Sequence, residues 1–204
     1  RIQQAWHAAV SPADIVLVPG DISWAMNLEE ARPDFTFLGD LPGTKIIIKG
    51  NHDYWWSSMK KLMESLPPSV IPLQNTAYVH DRIGVAGTRL WLDPDLRLEQ
   101  TTPEDQKIFE RELTRLASSL KTWPKTLERR IIMTHFPPIA LDGRAGRAVD
   151  VAREFGCDIW IFGHMHLFNI DYSGFNRTIS GTRFEFVSAD FLEFSPKLIL
   201  DMET

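Results

Sequence analysis

The chain has 204 residues, 44% hydrophobic and 24% charged, enough for one large domain with a full core and too few for two comfortable ones. A net charge of −5 and a pI near 5.7 exclude a general attraction to nucleic acid or anionic membrane. The single cysteine, Cys157, excludes an internal disulfide and reads as a buried, inert thiol, consistent with a reducing cytoplasmic location.

In chain order, residues Ile2 to Val10 fit the end of a helix. Residues 14–18 (Asp-Ile-Val-Leu-Val) form a β-branched run broken by Pro19-Gly20. Asn27 fits an N-cap for Leu28 to Ala31, with Glu29 and Glu30 in the first turn. Residues 45–49 form a second apolar strand, ended by Gly50-Asn51. Ser57 is placed to cap a helix reaching Ser65, which Pro67-Pro68 must stop. Thr76 to His80 and Arg82 to Ala86 read as a hairpin turning at Asp81-Arg82. Thr102 and Pro103 open a clear helix whose apolar stripe is Phe109, Leu113, Leu116 and Leu120.

Residues 130–134 form a third buried strand, leading into His135-Phe136-Pro137-Pro138. Arg147 to Phe155 reads as a helix with Ala148, Val151, Ala152 and Phe155 inward and Gly156 as its stop. Residues 158–162 form a fourth buried strand, and Phe184 to Ser188 and Lys197 to Leu200 read as two more. Continuously apolar strands alternating with helices place the chain in the α/β class, with both faces of the sheets covered. No apolar run is long enough for a membrane span.

The residues at the carboxyl end of each buried strand carry the chemistry. The four strands end in Gly20-Asp21, Gly50-Asn51-His52-Asp53, Thr134-His135 and Gly163-His164-Met165-His166. Ligands of α/β sheets bind outside the carboxyl ends of strands. If these strands are parallel neighbours, their terminal side chains share one crevice. A carboxylate, an amide oxygen and several imidazoles suit a pair of borderline cations such as Zn, Mn, Fe or Co. Of the six histidines, four lie at these ends; His7 and His80 lack that context and are assigned to the surface.

In that order the four blocks resemble the second to fifth signature blocks of the calcineurin-like metallophosphoesterases, across about 150 residues. The resemblance implies a four-layer αββα fold, two mixed β-sheets packed as a sandwich flanked by helices. It implies two divalent or mixed-valence metal ions, with Asp21 bridging both, Asn51, His135 and His164 on one, and His166 on the other. His52 would face the phosphate and assist the leaving group, with Asp53 orienting it. The implied reaction is hydrolysis of a small phosphomonoester or phosphodiester by in-line attack of a metal-activated hydroxide. The family's first block, Asp-x-His, occurs nowhere in the chain, which begins with Arg1 and not Met. The block is expected upstream of Arg1, the chain being a single domain without its first strand. The alternative is a catalytically impaired scaffold that serves as a binding module. A mononuclear metal or redox protein fits poorly, because cysteine clusters are lacking.

The substrate leaves fewer marks. Gly20-Asp21-Ile22-Ser23-Trp24 lacks the Asp-Arg-Gly extension typical of the protein phosphatase branch. Trp24, Trp55, Trp56 and Trp91 fall close to motif residues, as either an aromatic rim that stacks a ring or caps on the core. Arg89 reads as a solvated arginine, or as a phosphate contact.

Overall fold

A computed structural model describes residues 1–96, 101–166 and 170–201. Two sheets stack between two helical layers. The first sheet holds β1 (Ile15–Val18), β2 (Thr44–Ile47) and β3 (Val70–Pro72), paired parallel in that order. The second runs β4-β5-β6-β7-β9-β8, built from β4 (Ala77–His80), β5 (Ile83–Thr88), β6 (Arg129–Thr134), β7 (Ile159–Phe162), β8 (Arg177–Ile179) and β9 (Thr182–Phe186). Its four central strands are parallel, and β4 and β8 close the edges antiparallel, so the sheet is mixed.

Side-chain alternation assigns the layers. On β2, Ile46 and, just past the strand, Ile48 face the second sheet, while Ile47 faces the helices. On β6 and β7, Ile131, Met133, Ile159 and Ile161 meet them across the sandwich, and Ile132, Trp160 and Phe162 point outward. Every position is therefore buried against something, the physical reason these runs are continuously apolar. Helices α1 (Ile2–Ala9), α2 (Arg32–Asp40) and α3 (Met59–Ser65) cover the first sheet with Trp6, Phe35, Leu38 and Leu62. Helices α4 (Pro103–Leu120) and α5 (Arg147–Arg153) cover the second with Phe109, Leu113, Leu116, Leu120, Ala148 and Ala152. The Thr102 cap is a full capping box: Asp105 N–H donates to Thr102 Oγ1 at 3.1 Å and Thr102 N–H to Asp105 Oδ2 at 3.2 Å.

Several expectations shift. The four buried strands divide between the two sheets of the expected sandwich and are not all neighbours; β1 and β2 belong to one layer and β6 and β7 to the other. Asn27 does accept from the N–H groups of Glu29 and Glu30, but over a turn. The helix opens later, at Arg32, where Pro33 occupies its first turn. Residues 197–200 form no strand; Ile199 and Leu200 pack on the core between the sheets, and Arg183 Nη2 donates to the Ile199 carbonyl. The Asp81-Arg82 hairpin folds as read. Cys157 is half-buried, and burial pushes its thiol up to about 12. Among the described residues no helix is long and apolar enough to cross a membrane.

Candidate metal centre

The loop after β1 and the loop after β2 touch at backbone distance, and two glycines permit it. A Cβ on Gly20 (φ +92°) would lie 2.6 Å from the Gly50 nitrogen, and one on Gly50 would lie 2.0 Å from Asp21 Oδ1. Asp53 ties the loops together. Its Oδ2 accepts from the N–H groups of Gly50 (2.7 Å) and Asp21 (2.8 Å). Its Oδ1 accepts from Ile22 (2.8 Å), Ser23 (3.1 Å) and the Trp55 indole (3.1 Å). The side chain is fully buried, and burial pushes its carboxyl above the usual range against the pull of those donors. Asp53 thus positions loops. The expected orientation of His52 by Asp53 is corrected here, because the His52 Nδ1 pairs with the Tyr54 hydroxyl at 3.1 Å.

The second sheet contributes from the matching edge. Thr88, Thr134, Phe162 and Phe186 stand in register on four parallel strands, so the residues after them leave the sheet together. His135 crosses to the first sheet, where its Nδ1–H donates to the Pro19 carbonyl at 2.9 Å. A carbonyl only accepts, so the Nδ1 carries the proton and Nε2 presents a lone pair. That Nε2 lies 2.7 Å from Asn51 Oδ1, 3.1 Å from His164 Nδ1 and 3.4 Å from Asp21 Oδ2. His164 Nδ1 is also 2.9 Å from Asn51 Oδ1. Burial lowers the pKa of His135, and the charge of Asp21 opposes that shift.

Four side chains from four strand ends therefore point acceptor atoms at one another. A proton on His164 Nδ1 can serve Asn51 or His135, and with the Asn51 oxygen turned inward His135 Nε2 faces an acceptor at 2.7 Å. A borderline cation would relieve that arrangement, and nitrogen, amide oxygen and carboxylate oxygen are its ordinary donors. The residues fit such a group. Among the described residues no group of three or more His, Cys, Asp and Glu side chains is arranged to hold a metal ion, and Asn51 is a member of the convergence seen here. Asp21 (φ 56°) and His164 (φ 72°) both hold left-handed backbone, a strain that concentrates at functional sites.

The calcineurin-like phosphoesterase profile matches residues 1–168. The chain belongs to this family. No sequence among curated proteins matches it. Among solved structures it is similar to GAP50, the anchor in the inner membrane complex of Plasmodium, with 17% identity and a TM-score of 0.45. The match covers 80% of this chain and 58% of that one, so the chain spans little more than half of that protein's length.

Within the calcineurin-like phosphoesterase fold, the remaining candidates occupy the rim and the supports of the cluster. The His52 N–H donates to Asp21 Oδ1 at 2.9 Å, and its ring stacks on Trp24 at 4.3 Å and 13°. His166 is 56% exposed, and its described ionic contact is with Asp190 Oδ2, 3.5 Å from Nδ1. Asp190 carried no expectation from sequence, although it lies past β9 as a carboxylate beyond a buried strand, the same signal that marked Asp21. His7 and His80 are exposed, as expected.

Arg89 is not solvated. Its side chain is only 15% exposed, lies 4.5 Å over the Trp91 ring and approaches Glu112 Oε1 at 3.7 Å. Burial lowers its pKa, with Glu112 opposing. Its carbonyl accepts from the N–H groups of His135 and Phe136, so it also fixes the β6 loop. Of the four tryptophans, Trp55 is core at 2% exposure, Trp56 and Trp91 are half-buried, and Trp24 is 70% exposed.

Proposed function

We propose that the chain is the core of a metal-dependent phosphoesterase acting on a small phosphomonoester or phosphodiester. The observation that carries this reading is the meeting of Asp21, Asn51, His135 and His164 at distances of 2.7–3.4 Å. These four would hold one cation, with Mn, Fe, Zn or Co as candidates. Asp21 would be shared with a second, to which His166 contributes beside Asp190. Bound divalent cations supply charge to the phosphate oxygens and acidify water at neutral pH.

The protein's own groups supply position and a proton. His52 is fixed by its backbone bond to Asp21, by the indole of Trp24 on one ring face and by Tyr54 at Nδ1. Its Nε2 is then the atom that donates to the leaving oxygen, a contribution of about 10²–10⁴ in rate. Arg89 adds positive potential at the carboxylate of Asp21, and Lys49 adds it at that of Asp53. A small phosphorylated substrate and a cytoplasmic setting belong to the same proposal.

The test combines turnover and metal content. With added Mn²⁺, the protein is expected to release nitrophenol from nitrophenyl or bis-nitrophenyl phosphate. His52→Ala should lower kcat by about 10²–10⁴ with metal per chain unchanged, whereas His164→Ala should lose metal and activity together. Full turnover in His52→Ala refutes the assigned role. A second reading, a non-catalytic binding scaffold, draws on the exposed position of His166 beside Asp190. A protein that takes up metal and hydrolyses neither ester would favour it.

A further inference from the structure

Trp24 is a large apolar side chain held in water beside the reactive histidine. Its loop is rigid: Ile22 and Ser23 donate to Asp53, the Ser23 Oγ donates to Asp34 at 2.5 Å, and the Ser23 carbonyl accepts from the Trp55 indole at 3.1 Å. One face of the indole lies on His52 at 4.3 Å and 13°, and the side chain remains 70% exposed. Tyr54, 50% exposed, flanks the same imidazole edge-on. Core packing does not account for an indole so placed, since its neighbour Trp55 already fills the core. The free face has the chemistry of a stacking surface, where flat rings bind in sequence-tolerant fashion.

We propose that Trp24 is the platform for the ring of the substrate, and that the ester hydrolysed carries a nucleobase or similar flat heterocycle joined to phosphorus through a spacer. The inference rests on the phosphoesterase reading above. Distance requires the spacer. A ring on the outer face of the indole sits about 4.5 Å beyond it, and the indole is itself 4.3 Å from His52. A phosphorus atom within reach of the His52 proton is then separated from that ring by more than one bond, as a sugar separates phosphate from base in a nucleotide. A phenyl ester, with its ring on the ester oxygen, is too short to use the platform.

The experiment compares adenosine monophosphate with glycerol phosphate for the whole chain, Trp24→Leu and Trp24→Phe, all with Mn²⁺. In Trp24→Leu the ratio of kcat/KM values for adenosine monophosphate over glycerol phosphate is expected to fall about 5- to 100-fold. Trp24→Phe should keep most of the ratio. A loss shared equally by both esters comes from loosening His52 and overturns the platform, as does an unchanged ratio. If neither ester is turned over, the phosphoesterase reading fails. Calorimetric titration of the same two compounds then still decides the platform. Preference for adenosine monophosphate that Trp24→Leu abolishes supports it, and no preference, or one the variant keeps, overturns it.

Discussion

Asp53→Asn isolates the device that holds the site together. The carboxylate receives five N–H donors on two oxygens, two on Oδ2 and three on Oδ1. An asparagine keeps one oxygen. With that oxygen on the three-donor side, its amide nitrogen faces the N–H groups of Asp21 and Gly50 and leaves both unpaired. At about 1–3 kcal/mol for each buried donor, the loss is about 2–6 kcal/mol. Removing a buried negative charge returns part of this, since burial already disfavours the ionised form, and the net expected loss is about 2–4 kcal/mol. That is a large share of the total stability of a domain. Urea unfolding followed by circular dichroism reads it as a midpoint lowered by roughly 1 M with an unchanged slope. Metal uptake should weaken in parallel, because Asp21 loses its backbone anchor. A variant as stable as the parent within about 0.5 kcal/mol would refute the assignment of Asp53 as the tie between the loops.

Two further perturbations probe the supports. Glu112, 1% exposed, accepts from Thr88 Oγ1 and Arg115 and faces Arg89. Glu112→Gln leaves the Arg89 guanidinium without its carboxylate and should lower stability by about 3 kcal/mol, read from the shift in urea midpoint. Lys45 is fully buried, its ammonium donating to the carbonyls of Leu41 (2.6 Å) and Gly43 (2.8 Å) beyond the end of α2, and burial lowers its pKa from 10.5. Below 10.5 the unfolded chain then binds more protons than the folded one, so this group adds stability as pH rises toward that value. Lys45→Met lacks the slope, and its deficit against the parent, measured by unfolding at about pH 8 and about pH 10, should widen at the higher pH.

The strand-end rule anticipates the meeting of Asp21, Asn51, His135 and His164 because it depends on topology alone: parallel strands present their carboxyl ends at one edge whichever sheet they occupy. It leaves open which sheet each strand joins, because an apolar run buried on both faces looks the same in either layer. The helices were legible where an unambiguous cap exists, as at Thr102, and displaced where Asn27 caps a turn ahead of the real helix. Strands β3 and β8, three residues each, are too short for alternation to register. Asp53 could not be read correctly because its partners are mostly backbone N–H groups, which have no residue identity. Trp24 and Trp55 differ in exposure from 70% to 2% although both sit beside motif residues. Only the direction of each side chain from its loop separates a core residue from a surface platform.

The acceptor cluster makes a claim about the free protein as well as about catalysis. Asn51 Oδ1, His135 Nε2 and Asp21 Oδ2 are gathered, with His135 Nε2 at 2.7 Å from the first and 3.4 Å from the last, by loops fixed from behind through Asp53 and through the Pro19 carbonyl. With the Asn51 oxygen turned toward His135, the scaffold sets acceptor against acceptor, an arrangement that a cation relieves. A cation that binds the folded chain and not the unfolded one stabilises by about 2.7 kcal/mol at about one hundred times its dissociation constant. Chelator-treated protein should accordingly melt at lower temperature than protein with Mn²⁺, by several degrees. Asn51→Leu removes the central oxygen and its repulsion together. It should make the metal-free protein no less stable than the parent while abolishing the Mn²⁺ shift. If Asn51→Leu instead retains the full shift, the cation binds elsewhere, and the convergence of these four side chains has another cause.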